Sequence, residues 1–155
     1  MRFFTQSHID IATLDRERIL RNAQKTLTQS PLHITDAPAP MSEGGPNDFY
    51  SNGDYWWPNS DTPDGLPYIR RDGESNPGAF LEHRRMMRAV RTTVSALTAA
   101  YQITKEEKYA QHAVQWLVEF LVDKTTRMNP NMLYAQAIPG ICSGRSIGLI
   151  DTLHI

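Results

Sequence analysis

The chain has 155 residues, 16 Lys and Arg against 17 Asp and Glu, and 40% hydrophobic residues. That length fits one domain, 1–155, able to bury a core, and the near-zero balance of charge excludes a general nucleic-acid or membrane-surface binder, leaving a small or polymeric solute as partner. One cysteine, Cys142, cannot form an internal disulfide.

The N-terminal "MRFFTQSHID" has neither an apolar h-region nor a small-residue cleavage site, so no signal peptide is visible in it. No run approaches the ~18 apolar residues of a membrane span. From Thr13 to Gln29, Leu14, Ile19, Leu20, Ala23 and Leu27 recur near a 3.6 period and predict an amphipathic helix. A segment from about 30 to 77 follows that holds all of the ten prolines except Pro130 and Pro139. Fixed proline φ angles and missing amides push such a chain out of regular elements, while its aromatic residues argue against disorder. An ordered, irregular, functional loop is expected.

Between about 78 and 122 two helices are expected as an antiparallel hairpin. The first steps through Met87, Val90, Val94, Leu97 and Tyr101, with Arg84, Arg85, Arg88 and Arg91 read as its solvated face. Thr104 and Glu107 have the spacing of a capping box at the start of the second, whose apolar face is Tyr109, Ala113, Trp116, Leu117, Phe120 and Leu121. A polar connection, "RMNPNMLYAQ", leads to a last helix bearing Ile147, Ile150 and Leu153. The expected fold is all-α, helix pairs with apolar faces left over, which predicts self-association in isolation.

The most unusual stretch is "NDFYSNGDYWWPNSDTPDG", with Tyr55, Trp56 and Trp57 side by side. Sugar rings have apolar C–H faces and polar edges, so their sites combine flat aromatics with amides, carboxylates and guanidiniums. The tryptophans equally suit anchoring a loop on the helices. Nearby, "YIRRDG" offers Arg70 and Arg71, suited to bidentate recognition of a uronate carboxylate or to pairing with Asp48, Asp54 or Asp64. Asn131, Tyr134 and Gln136 stand in the inter-helix connection as pocket-lining or turn-forming groups. The histidines (8, 33, 83, 112 and 154) show no metal spacing, so neither a metal nor a cofactor is expected.

Together, "NDFYSNGDYWWPN…DTPDGLPYIRRDGESNP", "MNPNMLYAQAIPGICSGRSIGLIDT" and the hairpin between them resemble the alginate lyase family of polysaccharide lyases, from about Asn47 onward. Ser60 departs from the proline more usual in that family. The resemblance implies an incomplete α/α toroid of antiparallel helix pairs, β-elimination at a uronate in an acidic polysaccharide such as alginate or a glucuronan, and a periplasmic or secreted setting. It implies substrate contacts at Tyr55, Trp56, Trp57, Arg70, Arg71, Asn131, Tyr134 and Gln136. Family members are more than twice as long, and their Asn-Asn-His motif and later catalytic tyrosine have no counterpart here, so this chain is expected to be inactive alone. The catalytic residues stay unassigned, Tyr134 being the one candidate. Two other readings remain open. One is a non-catalytic acidic-sugar-binding module; the other is a helical-toroid glycoside hydrolase, for which Asp48, Asp54, Asp61 and Asp64 supply no evident carboxylate pair.

Overall fold

A computed structural model describes residues 10–154. The readings made on residues 1–9, His8 included, and on the side chains of Leu153 and His154 lie outside the described residues. Helices dominate, but four short strands correct the all-α expectation.

The first predicted helix is split into α1 (Ile11–Leu14) and α2 (Arg16–Thr26). Leu14 precedes the break and is 76% exposed, so the buried face of α2 is carried by Ala23, with Leu20 and Leu27 packed at its edge. α3 (Glu82–Thr104) and α4 (Glu107–Leu121) form the expected hairpin. The capping box does not form. Thr104 is still inside α3, its hydroxyl donating to the Ala100 carbonyl and accepting from the Glu106 amide, while the Glu107 carboxylate accepts from the Tyr101 hydroxyl. Lys105, at φ 59°, ends α3 in the left-handed conformation that commonly closes helices.

Two apolar clusters hold these helices. Ala23, Leu97, Ala100, Tyr109 and Ala113 join α2 to the hairpin. Met87, Val90, Trp116 and Phe120 meet Ile34 and Phe49 from the long loop, which explains how a proline-rich segment becomes ordered. His83 fastens the same loop: its Nδ1 accepts from the Tyr50 amide at 2.9 Å and its Nε2–H donates to the Ala37 carbonyl at 2.8 Å. Burial pushes the pKa of His83 down, in keeping with a neutral ring in these two roles.

Strand β1 (Tyr50–Asn52) pairs in parallel with β4 (Tyr134–Ala137), while β2 (Trp56–Trp57) and β3 (Ile69–Arg70) form an antiparallel hairpin. The last predicted helix is instead a 3-10 helix, Ser146–His154, with Ile147 and Ile150 half or nearly half exposed. Gly148 weakens α-helical propensity there, and it lies so close to β4 that an added Cβ would come 2.6 Å from the Ala135 Cβ. On the outer side of α4, Val114, Val118, Leu121 and Val122 form a stripe between 41% and 61% exposed.

His33 makes a second clasp between loop and helix. Its Nε2 lies 2.7 Å from the Glu119 carboxylate and its Nδ1 3.3 Å from that of Asp36. The hydrogen bond to Glu119 raises the pKa of His33, against the opposing effect of burial, and the same bond lowers that of Glu119. A raised histidine stabilises the fold fully below its unfolded value near 6.5 and loses that contribution as pH rises through the folded value. A lowered carboxylate contributes above its unfolded value near 4.5. The clasp is therefore strongest between these two pH values. Thermal melts between about pH 5 and 8 are expected to show wild type more stable than His33→Gln at the acid end, with the gap closing at the alkaline end. A gap independent of pH would mean that the ion pair contributes nothing.

Candidate functional site

The tryptophan stretch forms the first strand of an ordered hairpin whose turn is the 58–68 connection. Trp56 opposes Arg70 and Trp57 opposes Ile69, and the Arg71 amide donates to the Tyr55 carbonyl at 2.9 Å. Successive strand side chains point to opposite faces, and the two indoles divide their tasks in that way. Trp56 packs on Gly53, where an added Cβ would come 2.7 Å from both its ring and the Arg145 guanidinium. Trp57 donates from Nε1 to the Glu74 carbonyl at 2.9 Å, and the Arg71 guanidinium sits 4.8 Å over its ring. Both tryptophans are half-buried, Tyr55 is 44% exposed, and Arg70 pairs with Asp72 at 2.8 Å. A guanidinium over an indole keeps its N–H donors in its own plane, the geometry that suits a planar carboxylate. The hairpin therefore carries five of the eight predicted contacts on two faces, Tyr55, Trp57 and Arg71 on one and Trp56 and Arg70 on the other.

Beneath it runs a polar network that sequence reasoning missed. Arg84, assigned to a solvated face, is only 5% exposed. It donates to the Asp54 carboxylate at 2.6 Å and to the Asn52 carbonyl at 2.8 Å, and its Nε lies 3.1 Å from Asp151 without a hydrogen-bond alignment. Buried Asp151 also accepts from the Ser51 hydroxyl at 2.6 Å and from the Gln136 amide at 3.2 Å. Ser51 in turn accepts from the Gln136 backbone N–H, and Arg145 donates to the Gln136 carbonyl at 2.7 Å. Gln136 is thus buried, its amide turned onto Asp151 and its backbone at φ 55°, a strained value for a non-glycine residue that these bonds hold in place. Asp54 immediately precedes Tyr55, so Arg84 ties the base of the aromatic hairpin to α3. One signal was present in the sequence: stepping back three residues from Met87 along the apolar stripe lands on Arg84.

The other predicted residues, Asn131 and Tyr134, border this network on the β4 side. Asn129 and Asn131 donate to the same Asp48 oxygen at 2.8 and 3.3 Å. Burial pushes the Asp48 carboxyl up, but the bonds from Asn129, the Gly45 amide and Asn131 outweigh it and leave the group below its ordinary value. Tyr134 is half-buried beside Gly44, where a Cβ would come 2.5 Å from its ring. Between β1 and the segments around Met41 and Phe80 lies a cavity of about 380 Å³ lined by Tyr50, Asn52, Tyr68 and Glu82. Burial raises the pKa of both tyrosines, so each presents a neutral hydroxyl. Neutral hydroxyl and amide donors of this kind can hydrogen-bond a sugar, while the Glu82 carboxylate in the same lining opposes a second negative charge there. Among the described residues no cluster of metal-ligating side chains occurs, and no helix is long and apolar enough to cross a membrane.

A search of curated proteins returned no match. Among solved structures, an alginate lyase from Bacteroides ovatus superimposes with a TM-score of 0.79 at 39% sequence identity, covering 89% of this chain and 37% of that one. This chain thus matches little more than a third of the length of the solved lyase. The family profile described as alginate lyase matches residues 33–155, which contain the hairpin, the buried network and the β1–β4 pair. The chain belongs to the alginate lyase family.

Proposed function

We propose that this chain is the substrate-binding portion of a polysaccharide lyase that cleaves a uronic-acid polymer, alginate or a glucuronan, by β-elimination, in the periplasm or outside the cell. α3 and α4 are then one antiparallel pair of an α/α toroid, and the ordered loop 30–77 lies over its mouth. The observation that carries the reading is the Arg71 guanidinium 4.8 Å over Trp57, next to exposed Tyr55 at the base of the hairpin. Tyr55 and Trp57 supply the platform for sugar faces with Arg71 as the carboxylate contact beside them, while Trp56 and Arg70, on the opposite face of the hairpin, contact the chain from the other side. Asn131 and Tyr134 border the bound chain. Gln136 acts from beneath, through Asp151.

β-Elimination removes the proton α to a carboxylate that already carries a full negative charge, so the developing dianion needs Arg or neutral donors close by. A base and a general acid to the leaving oxygen are also required. The residues described here supply binding and charge stabilisation, and neither proton-transfer role is assigned to any of them; Tyr134 is the candidate to substitute first. Incubation with alginate and with glucuronan, followed by the ultraviolet absorbance of unsaturated uronates, tests the chemistry for this chain and for any longer form. Tryptophan fluorescence with short oligouronates tests binding directly. Trp57→Ala is expected to weaken that binding about tenfold, ~1.4 kcal/mol, with little change in melting temperature. Absence of any response to oligouronates in the wild type would overturn the reading.

A further inference from the structure

The geometry points to a second, elongated binding track for the same class of ligand, a polyuronate chain, running from the base of the aromatic hairpin along α3 into the groove between α2 and α3. It rests on the reading of the hairpin as a uronate site. The groove encloses about 930 Å³, and its lining includes Arg18, Lys25, Arg85, Arg88 and Arg91 with no Asp or Glu. A chain with 16 basic and 17 acidic residues has no such excess of positive charge on average, so this is a local concentration. Among the described residues, Asp15 pairs with Arg18 and Glu82 with Arg85 from outside the lining.

Continuity with the hairpin comes from a smaller cavity of about 200 Å³, lined by Asp54 and Arg84 and sharing Arg85 and Arg88 with the groove. Asp54 is the residue before Tyr55, and its charge is met there by Arg84 at 2.6 Å. From Arg85 to Ala99 the α3 side of the groove extends about 21 Å at 1.5 Å per residue, long enough for several sugar units. This α3 wall mixes small apolar residues, Ala89, Ala96 and Ala99, with hydroxyl-bearing ones, and the most buried members of the groove are Thr26 and Thr93. Small apolar and hydroxyl-bearing walls with cationic side chains along them match the C–H faces, hydroxyls and regularly spaced carboxylates of a polyuronate. A single-stranded nucleic acid would call for stacking side chains, and no aromatic residue lines the groove; a duplex, which binds through its phosphates, is separated from a polyuronate by the DNA arm of the calorimetric test.

The test compares ligands of two lengths by calorimetry on the full chain. Lys25 and Arg91 are exposed, so the double variant K25E/R91E is expected to fold normally. Its affinity for polymeric glucuronan or alginate is expected to fall about tenfold or more, with a shallower dependence on salt, while its affinity for a uronate trisaccharide stays at the wild-type value. Unchanged polymer affinity, or equal losses for polymer and trisaccharide, would overturn the track. So would equally tight, equally variant-sensitive binding of dextran sulfate or DNA, which would show a general polyanion patch. Failure of the hairpin reading looks different: polymer binding would survive Trp57→Ala and still be lost in K25E/R91E.

Discussion

Replacing Arg84 by methionine is expected to lower the free energy of unfolding by about 3–5 kcal/mol, because it leaves a buried carboxylate without its cation. The Arg84 and Asp151 side chains are 6% and 3% exposed, and Arg84 also holds Asp54 and the Asn52 carbonyl. Urea denaturation checks this as a fall in midpoint at constant m-value. Arg84→Lys is expected to recover only part of the loss, since an ammonium cannot span three acceptors set around a planar fork. The double variant R84M/D151N is expected to be more stable than R84M alone, since it removes the stranded charge. A cost below about 1 kcal/mol for R84M would show that the pair behaves like a surface ion pair despite its burial.

Trp116→Ala should be comparably damaging. The indole is 2% exposed and packs with Ile34, Phe49, Met87 and Phe120, so its removal loses helix-to-helix and loop-to-helix contact at once. Truncating a buried aromatic costs about 3–5 kcal/mol, whereas Trp116→Phe, which keeps an aromatic ring in the site, is expected to cost under about 2 kcal/mol. The indole N–H contributes little to either figure. It lies 3.3 Å from His112 Nε2, but that nitrogen is also 2.9 Å from the Gln29 carbonyl. A carbonyl can only accept, so Nε2 must carry the proton there and cannot also accept from Trp116. Thermal unfolding of the two variants against wild type measures the difference; equal losses would show that a specific polar contact, rather than volume, sets the stability.

The helical hairpin was readable in the sequence because its apolar residues repeat at one period over 4 or more turns. Met87, Val90, Leu97, Tyr109, Ala113, Trp116 and Phe120 all occupy the buried face expected of them. The aromatic stretch was readable as special, since Trp56 and Trp57 in a proline-rich segment point either to a ligand platform or to a loop anchor. Arg84 was not. A charge on a helix reads as solvent-facing until its partners are known, and Asp54 and Asp151 approach it from segments remote in sequence. The strands escaped notice for a related reason: β1 and β4 are 3 and 4 residues long, too short to display alternation, and each exists only through the other. The capping box failed because the spacing of Thr104 and Glu107 says nothing of where the preceding helix stops.

The parallel pairing of β1 with β4 also orders the assembly of the molecule in time. Ser51 and Gln136 are 85 residues apart in sequence, and the whole α3–α4 hairpin lies between them. Contacts within that hairpin close short loops and form early, while a pairing across such a span must wait until loop-closure entropy has been offset by docked helices. Ser51, Gln136 and Asp151, on which the Arg84 network depends, therefore assemble last. The tie between the base of the aromatic hairpin and α3 is thus expected to be set late in folding, across helices that are already in place.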